Sequence, residues 1–304
     1  MTRLRIGTRN SPLALWQARH VRERLLDRHR GLEVALHEIL STGDQNPDLP
    51  LAAMGGKGLF LKELEQSLLR GATDVAVHSV KDMTVTATDG LGLVAVCARE
   101  DARDALVANR FDALERLPRG AVVGTCSLRR QCQLRARHPH LRIVNLRGNV
   151  NTRLAKLDSG QYDAIVLAVA GLKRLRLEHR ISEYLAPEIC LPAAGQGAIG
   201  IQCRADHSSA LDLVKAVNHP DSAVCVAAER AVVARLGGDC HLPLAAYAQL
   251  RESRITVRGL VGKLDGSQLL RSEKTGRRAD AVAVGHSVAE DLLARGAADI
   301  LAGV

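Results

Sequence analysis

Ten arginine and lysine residues, and no aspartate or glutamate, lie in the tract from Arg116 to Leu157. Outside this tract 32 basic residues stand against 33 acidic ones, so the tract accounts for the whole formal net charge of +9. Guanidinium groups bind carboxylates and phosphates through paired hydrogen bonds. The tract therefore predicts a site for an anion, either a polycarboxylate or a phosphate compound.

The positions of four arginines sharpen this prediction. Arg129 and Arg130 fall in the first turn of a predicted helix, where positive side chains oppose the helix dipole, so an external anion is the expected compensation. Arg147 precedes a loop glycine, and Arg153 lies near the start of the next helix. A solvated basic face is the plain alternative, and four arginines at helix starts favour a binding site over it.

Nucleic acid is another anion to consider. The tract has no aromatic residues on which bases could stack, and it contains no recognisable nucleic-acid-binding motif. Clustered arginines at loop and helix starts suit a small polyanion better than a long duplex. We expect no nucleic-acid partner.

Two further residues could do chemistry. Asp82 follows Lys81 at the predicted end of a buried strand, where a carboxylate could face a cationic nitrogen of a ligand and exchange protons with it. Cys240 follows the Gly237-Gly238 pair, whose flexible turn suits a point of covalent attachment. The ordinary alternatives are a turn aspartate and a buried, inert thiol.

Other kinds of site are not predicted. Seven scattered cysteines without a Cys-x-x-Cys pair, and histidines without ligand spacing, argue against a disulfide framework and against a metal site. The loop from Gly55 to Gly58 lacks the spacing and the hydroxyl of a phosphate-binding loop, and is interpreted as mobile. No apolar run is long enough to span a membrane. We expect a cytoplasmic protein.

The elements that would position these residues alternate between strand and helix. The predicted strands are 4–6, 34–40, 74–77, 122–124, 143–144, 164–168 and 198–203, and the predicted helices begin at Pro12, Leu59, Leu128 and Asn149. This alternation predicts parallel sheets with helices on both faces and ligands at the carboxyl ends of strands. After a long helix from Ala223 to Leu236, strands at 245–250 and 255–260 and a helix from Ser287 predict a separate α+β domain.

Several segments, in order along nearly the whole chain, resemble the porphobilinogen deaminase (hydroxymethylbilane synthase) family. They are Gly7–Ala18, Gly55–Glu65, Val77–Asp82, Gly124–Gln131, Leu146–Leu154, Ala168–Leu175, Leu191–Cys203 and Ala228–Arg230 with the following Gly238-Asp239-Cys240 turn. The agreement weakens only in the C-terminal domain.

The resemblance implies a three-domain α/β fold. Two doubly wound domains like those of periplasmic binding proteins would flank a cleft: residues 1–98 with 198–217 on the substrate and catalytic side, and the arginine-rich residues 103–193 on the cofactor side. Residues 220–304 would form the α+β domain that carries Cys240.

The resemblance also implies an activity. Members of the family are transferases that join four porphobilinogen units head to tail on a dipyrromethane primer, release ammonia at each addition, and release the linear tetrapyrrole by hydrolysis. Haem- and chlorophyll-type pigments derive from that product. The dipyrromethane would be attached to Cys240 through a thioether, with no metal, and the enzyme would be monomeric.

Roles for individual residues follow from the resemblance. Asp82 would be the catalytic group that stabilises cationic pyrroles and moves protons. The remaining cofactor contacts would be Lys81, Thr125, Ser127, Arg129, Arg130, Arg147, Asn149 and Arg153. The substrate and growing-chain contacts would be Arg9, Ser11, Gln17, Phe60, Ser79 and Arg174, with Phe60 covering the cleft.

The sequence departs from the family pattern in three places. Met83-Thr84 replaces an aliphatic residue and proline, so the loop after Asp82 is expected to be less rigid. Cys126 replaces a serine near the cofactor and loses a hydroxyl donor. Asp239 stands at a variable position.

A non-catalytic anion-binding protein of the same two-lobed fold is the main rival hypothesis. It accounts for the arginines but gives no reason for Cys240, and it predicts binding without ammonia release. A nucleic-acid-binding role predicts a strongly salt-dependent affinity for DNA or RNA.

Overall fold

A computed structural model describes residues 2–40, 61–238 and 242–304 of the chain. The chain divides into two compact units, Met1–Glu100 with Ala198–Ala223, and Asp101–Gly197 with Val224–Val304. Phe60, the glycine loop 55–58 and Cys240, for which the sequence predicts roles, lie outside the described residues. The narrower limits of three domains, 1–98 with 198–217, 103–193 and 220–304, stay a prediction.

The described residues form strands and helices in near-regular alternation. The strands are β1 (Thr2–Arg9), β2 (Leu32–Ile39), β3 (Val75–Ser79), β4 (Leu91–Val96), β5 (Asp104–Ala108), β6 (Val122–Gly124), β7 (Arg142–Val144), β8 (Ala164–Ala168), β9 (Glu183–Leu185), β10 (Ile199–Arg204), β11 (Leu244–Arg251), β12 (Arg254–Gly262) and β13 (Leu269–Arg277). The helices are α1 (Pro12–Arg28), α2 (Lys62–Leu69), α3 (Leu128–Arg137), α4 (Val150–Asp158), α5 (Val169–Arg174), α6 (Ser208–Lys215), α7 (Pro220–Arg235), α8 (Ala281–Ala294) and α9 (Ala297–Ala302).

The first unit contains a five-stranded sheet in the order β2-β1-β3-β10-β4. Strand β1 is parallel to β2 and β3, as predicted, but β10 is antiparallel to β3 and β4. The predicted parallel arrangement is therefore wrong for the returning strand β10. The chain comes back to this unit at residue 198 from the other unit, and not through a helix on the sheet, so the right-handed βαβ rule does not fix its direction.

Helix α1 begins where its sequence predicts. The Ser11 hydroxyl accepts a hydrogen bond from the Ala14 N–H at 3.3 Å, and Pro12 occupies the first helical position. Ala18, Val21 and Leu25 recur at helical spacing and are buried against β1 and β3. Helix α2 covers a second cluster through Leu64 and Leu68. Both clusters include residues of β3, so this strand is buried on both faces.

The second unit contains a five-stranded sheet in the order β7-β6-β8-β5-β9. Strand β6 is parallel to β7 and β8, whereas β5 runs antiparallel to β8 and β9. The carboxyl ends of β6, β7 and β8 therefore lie at one edge of the sheet, together with the amino end of β5. The helices that follow those ends are α3, α4 and α5.

A three-stranded antiparallel sheet, β11-β12-β13, lies in the same unit. Leu260 and Ala245 of this sheet pack with Cys132 of α3 and with Leu191. Helix α8 lies close to the sheet, since a Cβ placed on Gly259 would meet Val288 Cγ1 at 2.6 Å. It begins at Ala281 and not at Ser287 as predicted, because the buried positions Ala281, Val284 and Gly285 extend its apolar face.

These sheets confirm the predicted fold class. The chain has two doubly wound α/β sheets and a smaller C-terminal α+β part. The buried carboxylate of Glu229 connects parts of the second unit. It accepts hydrogen bonds from the Gly195 N–H at 2.6 Å and from the Ala248 N–H at 2.8 Å, so α7 holds both β11 and the loop before residue 198.

Candidate active site

A surface depression lies at the carboxyl ends of β1 and β3 in the first unit. Its polar lining residues are Arg9, Ser11, Gln17, His78, Ser79 and Asp82. Five of these were predicted from the sequence as site residues, and the fold brings them together because parallel strands end at the same edge. The carboxylate of Asp82, the guanidinium of Arg9 and several hydroxyl or amide groups thus share one surface.

Local hydrogen bonds fix the first part of this lining. The buried Thr8 hydroxyl lies 3.2 Å from the carbonyl oxygens of Arg9 and Ala14, which links the end of β1 to the start of α1. The buried Gln17 Nε2 donates to the Ser79 hydroxyl at 2.8 Å, which links α1 to the end of β3. Helix α1 therefore fixes the end of β1 and the end of β3 beside each other, although they are far apart in sequence.

Asp82 lies on a single 3-10 turn, Val80–Asp82, directly after β3. The turn is held by buried Val80, whose N–H donates to the Ala198 carbonyl at 3.1 Å. A Cβ on Gly200 would meet Val80 Cγ2 at 2.9 Å, so only glycine leaves room for this turn. The Asp82 side chain is exposed, and Lys81 beside it is half-buried. The well-packed turn thus holds the Asp82 carboxylate in solvent.

Met83, the departure from the family pattern next to Asp82, is buried at 8% exposure. Its N–H donates to the Val80 carbonyl at 3.0 Å, and its sulfur would lie 3.5 Å from a Cβ at Gly200. Thr84 donates from its hydroxyl to the Thr86 carbonyl at 2.9 Å. Packing of Met83 and the two hydrogen bonds thus restrict the chain at the place where other family members have a proline. The expected loss of rigidity after Asp82 stays a prediction.

His78 is a lining residue to which sequence reasoning gave no role. It is 6% exposed, and burial lowers its pKa to about 4. The neighbouring Gln202 side chain acts in the opposite direction, and the charge of Arg9 lowers the pKa of His78 further. Gln202 in turn donates to Glu65 Oε1 at 2.8 Å. His78 therefore contributes a neutral imidazole at neutral pH, beside the one carboxylate of the depression.

The pKa of His78 predicts how stability varies with pH. The folded pKa, about 4, lies below the model-peptide value of 6.5, so the unfolded chain binds the proton more tightly. This contribution to stability is complete above pH 6.5 and is lost as the pH falls from 6.5 to 4, by on the order of 3 kcal/mol. Denaturant titrations at several pH values should show a smaller loss in His78→Gln than in the wild type. A control variant of the exposed His179, His179→Gln, should keep the wild-type loss, and equal losses in all three proteins would contradict the prediction.

A second candidate surface lies at the carboxyl ends of β6 and β7 in the second unit. Thr125, at 2% exposure, follows β6, and its hydroxyl accepts from the Ser127 N–H at 3.2 Å. Ser127 is the N-cap of α3 and makes no side-chain capping bond, so first-turn N–H groups of α3 are not capped by it. Thr125, Ser127 and the start of α3 thus form an anion-accepting corner.

The next junction has a similar design. Asn149 caps α4, with its Oδ1 accepting from the Thr152 N–H at 2.9 Å. Gly148 has φ +111, and Arg153 Nε donates to the Gly148 carbonyl at 2.7 Å. Arg147 is half-buried just before this turn. Because β6 and β7 are parallel, both junctions lie at the same edge of the sheet, as predicted.

Arg174, predicted as a substrate contact, lies in this second unit at the end of α5. It is 8% exposed, and its Nη2 donates to the Gly197 carbonyl at 2.6 Å. The structure thus places it with the other arginines of the second unit, at the loop that leads out of this unit.

The electrostatic argument for Arg129 and Arg130 requires a correction. Both are buried, at 5% exposure, and both are paired with Asp104, at 2.7 Å for Arg129 and 2.6 Å for Arg130. An acid outside the tract therefore supplies the compensation that the sequence argument assigned to an external anion. Their assignment to the cofactor stays a prediction.

Other arginines of the tract also have acidic partners beyond its ends. Arg116 lies 2.8 Å from Asp112, and Arg137 lies 3.9 Å from Glu115. The positive surface of the tract is therefore smaller than its sequence suggests.

The described residues contain no group of three or more His, Cys, Asp or Glu that could hold a metal ion. Among those residues, no helix has the length and apolar character needed to cross a membrane. What the second surface offers is a set of guanidinium, hydroxyl, amide and backbone N–H donors, and this donor set fits a ligand with several carboxylates.

Comparison with known proteins places the chain in a family. Residues 4–212 match the family domain described as "Porphobilinogen deaminase, dipyromethane cofactor binding domain", and residues 223–294 match "Porphobilinogen deaminase, C-terminal domain". The first match alone spans more than half of the chain.

Similar solved structures are remote in sequence. A putative methionine-binding lipoprotein from Bacillus subtilis is 11% identical, with 72% of this chain and 90% of that chain covered and a TM-score of 0.45. A periplasmic substrate-binding protein of an ABC transporter from Coxiella burnetii is 15% identical, with 75% and 96% covered and a TM-score of 0.45. The family matches, which run through both units and into the C-terminal sheet, carry the assignment: the chain belongs to the porphobilinogen deaminase family.

Proposed function

We propose that this transferase, which polymerises porphobilinogen on a dipyrromethane cofactor in tetrapyrrole synthesis, performs its chemistry at Asp82 and holds its cofactor through Cys240. One observation carries the proposal for Asp82: its carboxylate shares a depression with Arg9, Ser11, Gln17 and Ser79. The substrate has an amine and two carboxylates. It therefore requires a negatively charged and a positively charged side chain on one surface, and Asp82 and Arg9 provide them.

Asp82 acts on the substrate's positive charge. As ammonia leaves the aminomethyl carbon, that carbon and the pyrrole ring become cationic, and a carboxylate nearby lowers the energy of this state. A new carbon–carbon bond then forms, and the ring carbon that attacked loses its proton, which Asp82 can accept and pass to solvent. The exposed position of Asp82 on its turn supports this exchange with water.

Arg9, Ser11, Gln17 and Ser79 orient the substrate. Arg9 binds a carboxylate, while the hydroxyl and amide groups receive or donate neutral hydrogen bonds. His78 stays uncharged beside them because of its burial. A second cation at this position would weaken the field of Asp82, so a neutral imidazole preserves the attraction of Asp82 for a cationic ligand.

The arginine-rich edge of the second unit binds the cofactor's carboxylates. The residues we assign to it are Thr125, Ser127, Arg129, Arg130, Arg147, Asn149 and Arg153. Lys81 is also assigned to the cofactor, and Arg174 to the substrate or growing chain. When bound, the dipyrromethane supplies the free pyrrole carbon to which the first porphobilinogen is joined. Cys240 is the thiol to which we assign its attachment, and Phe60 is assigned a covering role.

We further propose a cytoplasmic, monomeric enzyme without a nucleic-acid partner. All six cysteines among the described residues are free thiols, which supports a reducing compartment. The monomeric state follows from the family resemblance alone.

The test of this function is the ratio of ammonia released to porphobilinogen consumed, together with the identity of the pyrrole product. Purified full-length protein incubated with porphobilinogen should release one ammonia for each porphobilinogen consumed and should form a linear tetrapyrrole. Porphobilinogen binding without ammonia would support the rival hypothesis of a non-catalytic anion-binding protein and overturn the proposal.

A further inference from the structure

Asp104 is the most heavily bonded carboxylate of the second unit's candidate surface. It is fully buried at the amino end of β5, opposite Ala168 at the carboxyl end of β8. It therefore lies at the same edge of the sheet as the first turn of α3. The sequence shows it only as one member of the charged run from Glu100 to Asp104.

Both oxygens of Asp104 are occupied by donors. Oδ1 accepts from Arg130 Nε at 3.1 Å, from Arg130 Nη2 at 2.6 Å and from Gln196 Nε2 at 2.9 Å. Oδ2 accepts from Arg129 Nη1 at 2.7 Å and from the Cys190 thiol at 3.2 Å. Burial by itself would raise the pKa of Asp104, but the two guanidinium charges outweigh it and hold the pKa well below its usual range. The carboxylate is thus ionised and fixed in place.

The two arginines use their donors differently. Arg130 engages all three of its nitrogens, with Nε and Nη2 on Asp104 and Nη1 on the Val166 carbonyl at 2.9 Å. Arg129 engages only Nη1, which donates to Asp104 and to the Leu191 carbonyl at 2.8 Å and contacts the Cys190 sulfur at 3.6 Å. Nε and Nη2 of Arg129 donate to none of the described residues, and neither is a fully buried atom without a partner. The Nε–Nη2 edge of the Arg129 guanidinium is therefore not used by any described residue.

That edge is the one that binds a carboxylate through two parallel hydrogen bonds. Arg129 lies in the first turn of α3, which has no acidic residue. The charges lead to the same conclusion, because one carboxylate between two guanidinium groups leaves the buried cluster with a net charge of +1. A single further carboxylate would neutralise the cluster.

We propose that Asp104 is a positioning residue that divides the arginine pair into a clamp and a ligand. Arg130 is the clamp, which joins α3 to β5 and β8. Arg129 is held by its Nη1 so that its Nε–Nη2 edge binds one carboxylate of the dipyrromethane. The proposal rests on the proposed function, because it concerns the same cofactor, and it changes the role of Arg130 from direct contact to support.

The test follows how fast the unloaded protein acquires its cofactor. Full-length protein produced without porphobilinogen is incubated with it, and intact mass records the rate at which the dipyrromethane mass appears. Arg129→Lys should load about ten- to a hundredfold more slowly, because a lysine cannot supply the paired edge once its ammonium contacts Asp104. Its melting temperature should stay close to that of the wild type.

Asp104→Asn tests the positioning role. It should slow loading by a similar factor at a temperature where circular dichroism shows the variant to be folded, a change that a purely structural role would not cause. In the double variant with Arg129→Lys, loading should be no slower than in either single variant, because Asp104 acts through Arg129. Arg130→Lys should lower the melting temperature more than Arg129→Lys does.

Asp163→Asn is the matched control. Asp163 pairs with Arg110 at 2.8 Å and accepts from the Val122 N–H, so it supports the same sheet away from Asp104. This variant should load like the wild type. Wild-type loading in Arg129→Lys, or additive losses in the double variant, would overturn the proposal. A wild-type protein that never gains the mass would instead show that the proposed function, with the anchor, is wrong.

Discussion

Asp82→Asn is expected to lower turnover by at least about a hundredfold while leaving the fold intact. Asparagine keeps the size of the side chain but removes its negative charge and its ability to hold a proton. Both properties are needed if Asp82 stabilises the cation that forms as ammonia leaves and then accepts the proton released on bond formation. The measurement is the rate of ammonia release at saturating porphobilinogen.

The expected stability of this variant separates chemistry from folding. The Asp82 side chain is exposed, and it makes no hydrogen bond or ion pair with the residues the structure describes. Surface substitutions of this kind change the free energy of unfolding by no more than about 0.5 kcal/mol. Denaturant titrations should therefore superimpose for Asp82→Asn and the wild type.

Two companion variants make the result specific. Asp82→Glu keeps the charge but moves it by one methylene, so it should retain a measurable part of the turnover. Asp89→Asn removes an exposed carboxylate from the same unit and should behave like the wild type. Full activity in Asp82→Asn, or an equal loss in Asp89→Asn, would remove Asp82 from its proposed role.

The position of Asp82 could be predicted because its signal is local. A short apolar run ending in polar residues predicts a buried strand and its carboxyl end, and β3 with its following turn has that form. The start of α1 is equally local, since Ser11 and Pro12 act on the adjacent turn. Arg129 and Arg130 in a first turn, and a helix that opens at Asn149, belong to the same class of prediction.

The partners of these residues could not be predicted, because they are distant in sequence. Asp104 meets Arg129 and Arg130 only through the pairing of β5 with β8, and β5 itself was not recognised. The direction of β10 depends on the return of the chain from another unit, and so does the contact of His78 with Gln202. A single sequence shows periodicity along an element but not which elements lie side by side.

The correction at Arg129 and Arg130 has a general physical content. An acid-free tract has no counter-charge within itself, yet buried guanidinium groups require one. The fold supplies it from β5. The absence of acidic residues from the tract is therefore weak support for an external ligand. The Nε–Nη2 edge of Arg129, which no described residue uses, is the stronger argument.

Cys240→Ala is expected to yield a folded protein that lacks the dipyrromethane mass and has no turnover above background. The wild-type chain should exceed its sequence mass by one dipyrromethane, whereas the variant should match its own sequence mass. The reason is that the thioether requires a thiol which a bulky group can reach. Intact mass of the two purified proteins measures the difference directly.

The other cysteines narrow the choice of anchor. Cys97, Cys132, Cys190, Cys203 and Cys225 are buried, and a dipyrromethane has no room beside them. Burial raises the pKa of Cys132 to about 11 and that of Cys190 to about 12, so their thiols are also poor nucleophiles. Cys126, which is half-buried, is the described cysteine that could compete.

Cys126→Ser is therefore the matched control for Cys240→Ala. Cys126 lies beside Thr125 at the anion-accepting corner, so the serine variant restores a hydroxyl near the cofactor without removing the proposed anchor. It should keep the added mass and remain active. Retention of the mass in Cys240→Ala with its loss in Cys126→Ser would move the anchor to the start of α3, and peptide mapping of the wild-type adduct would locate it. Because α7 and β11 precede and follow Cys240 in the sequence and are both held by Glu229, the alanine variant should unfold at a denaturant concentration close to that of the unloaded wild type.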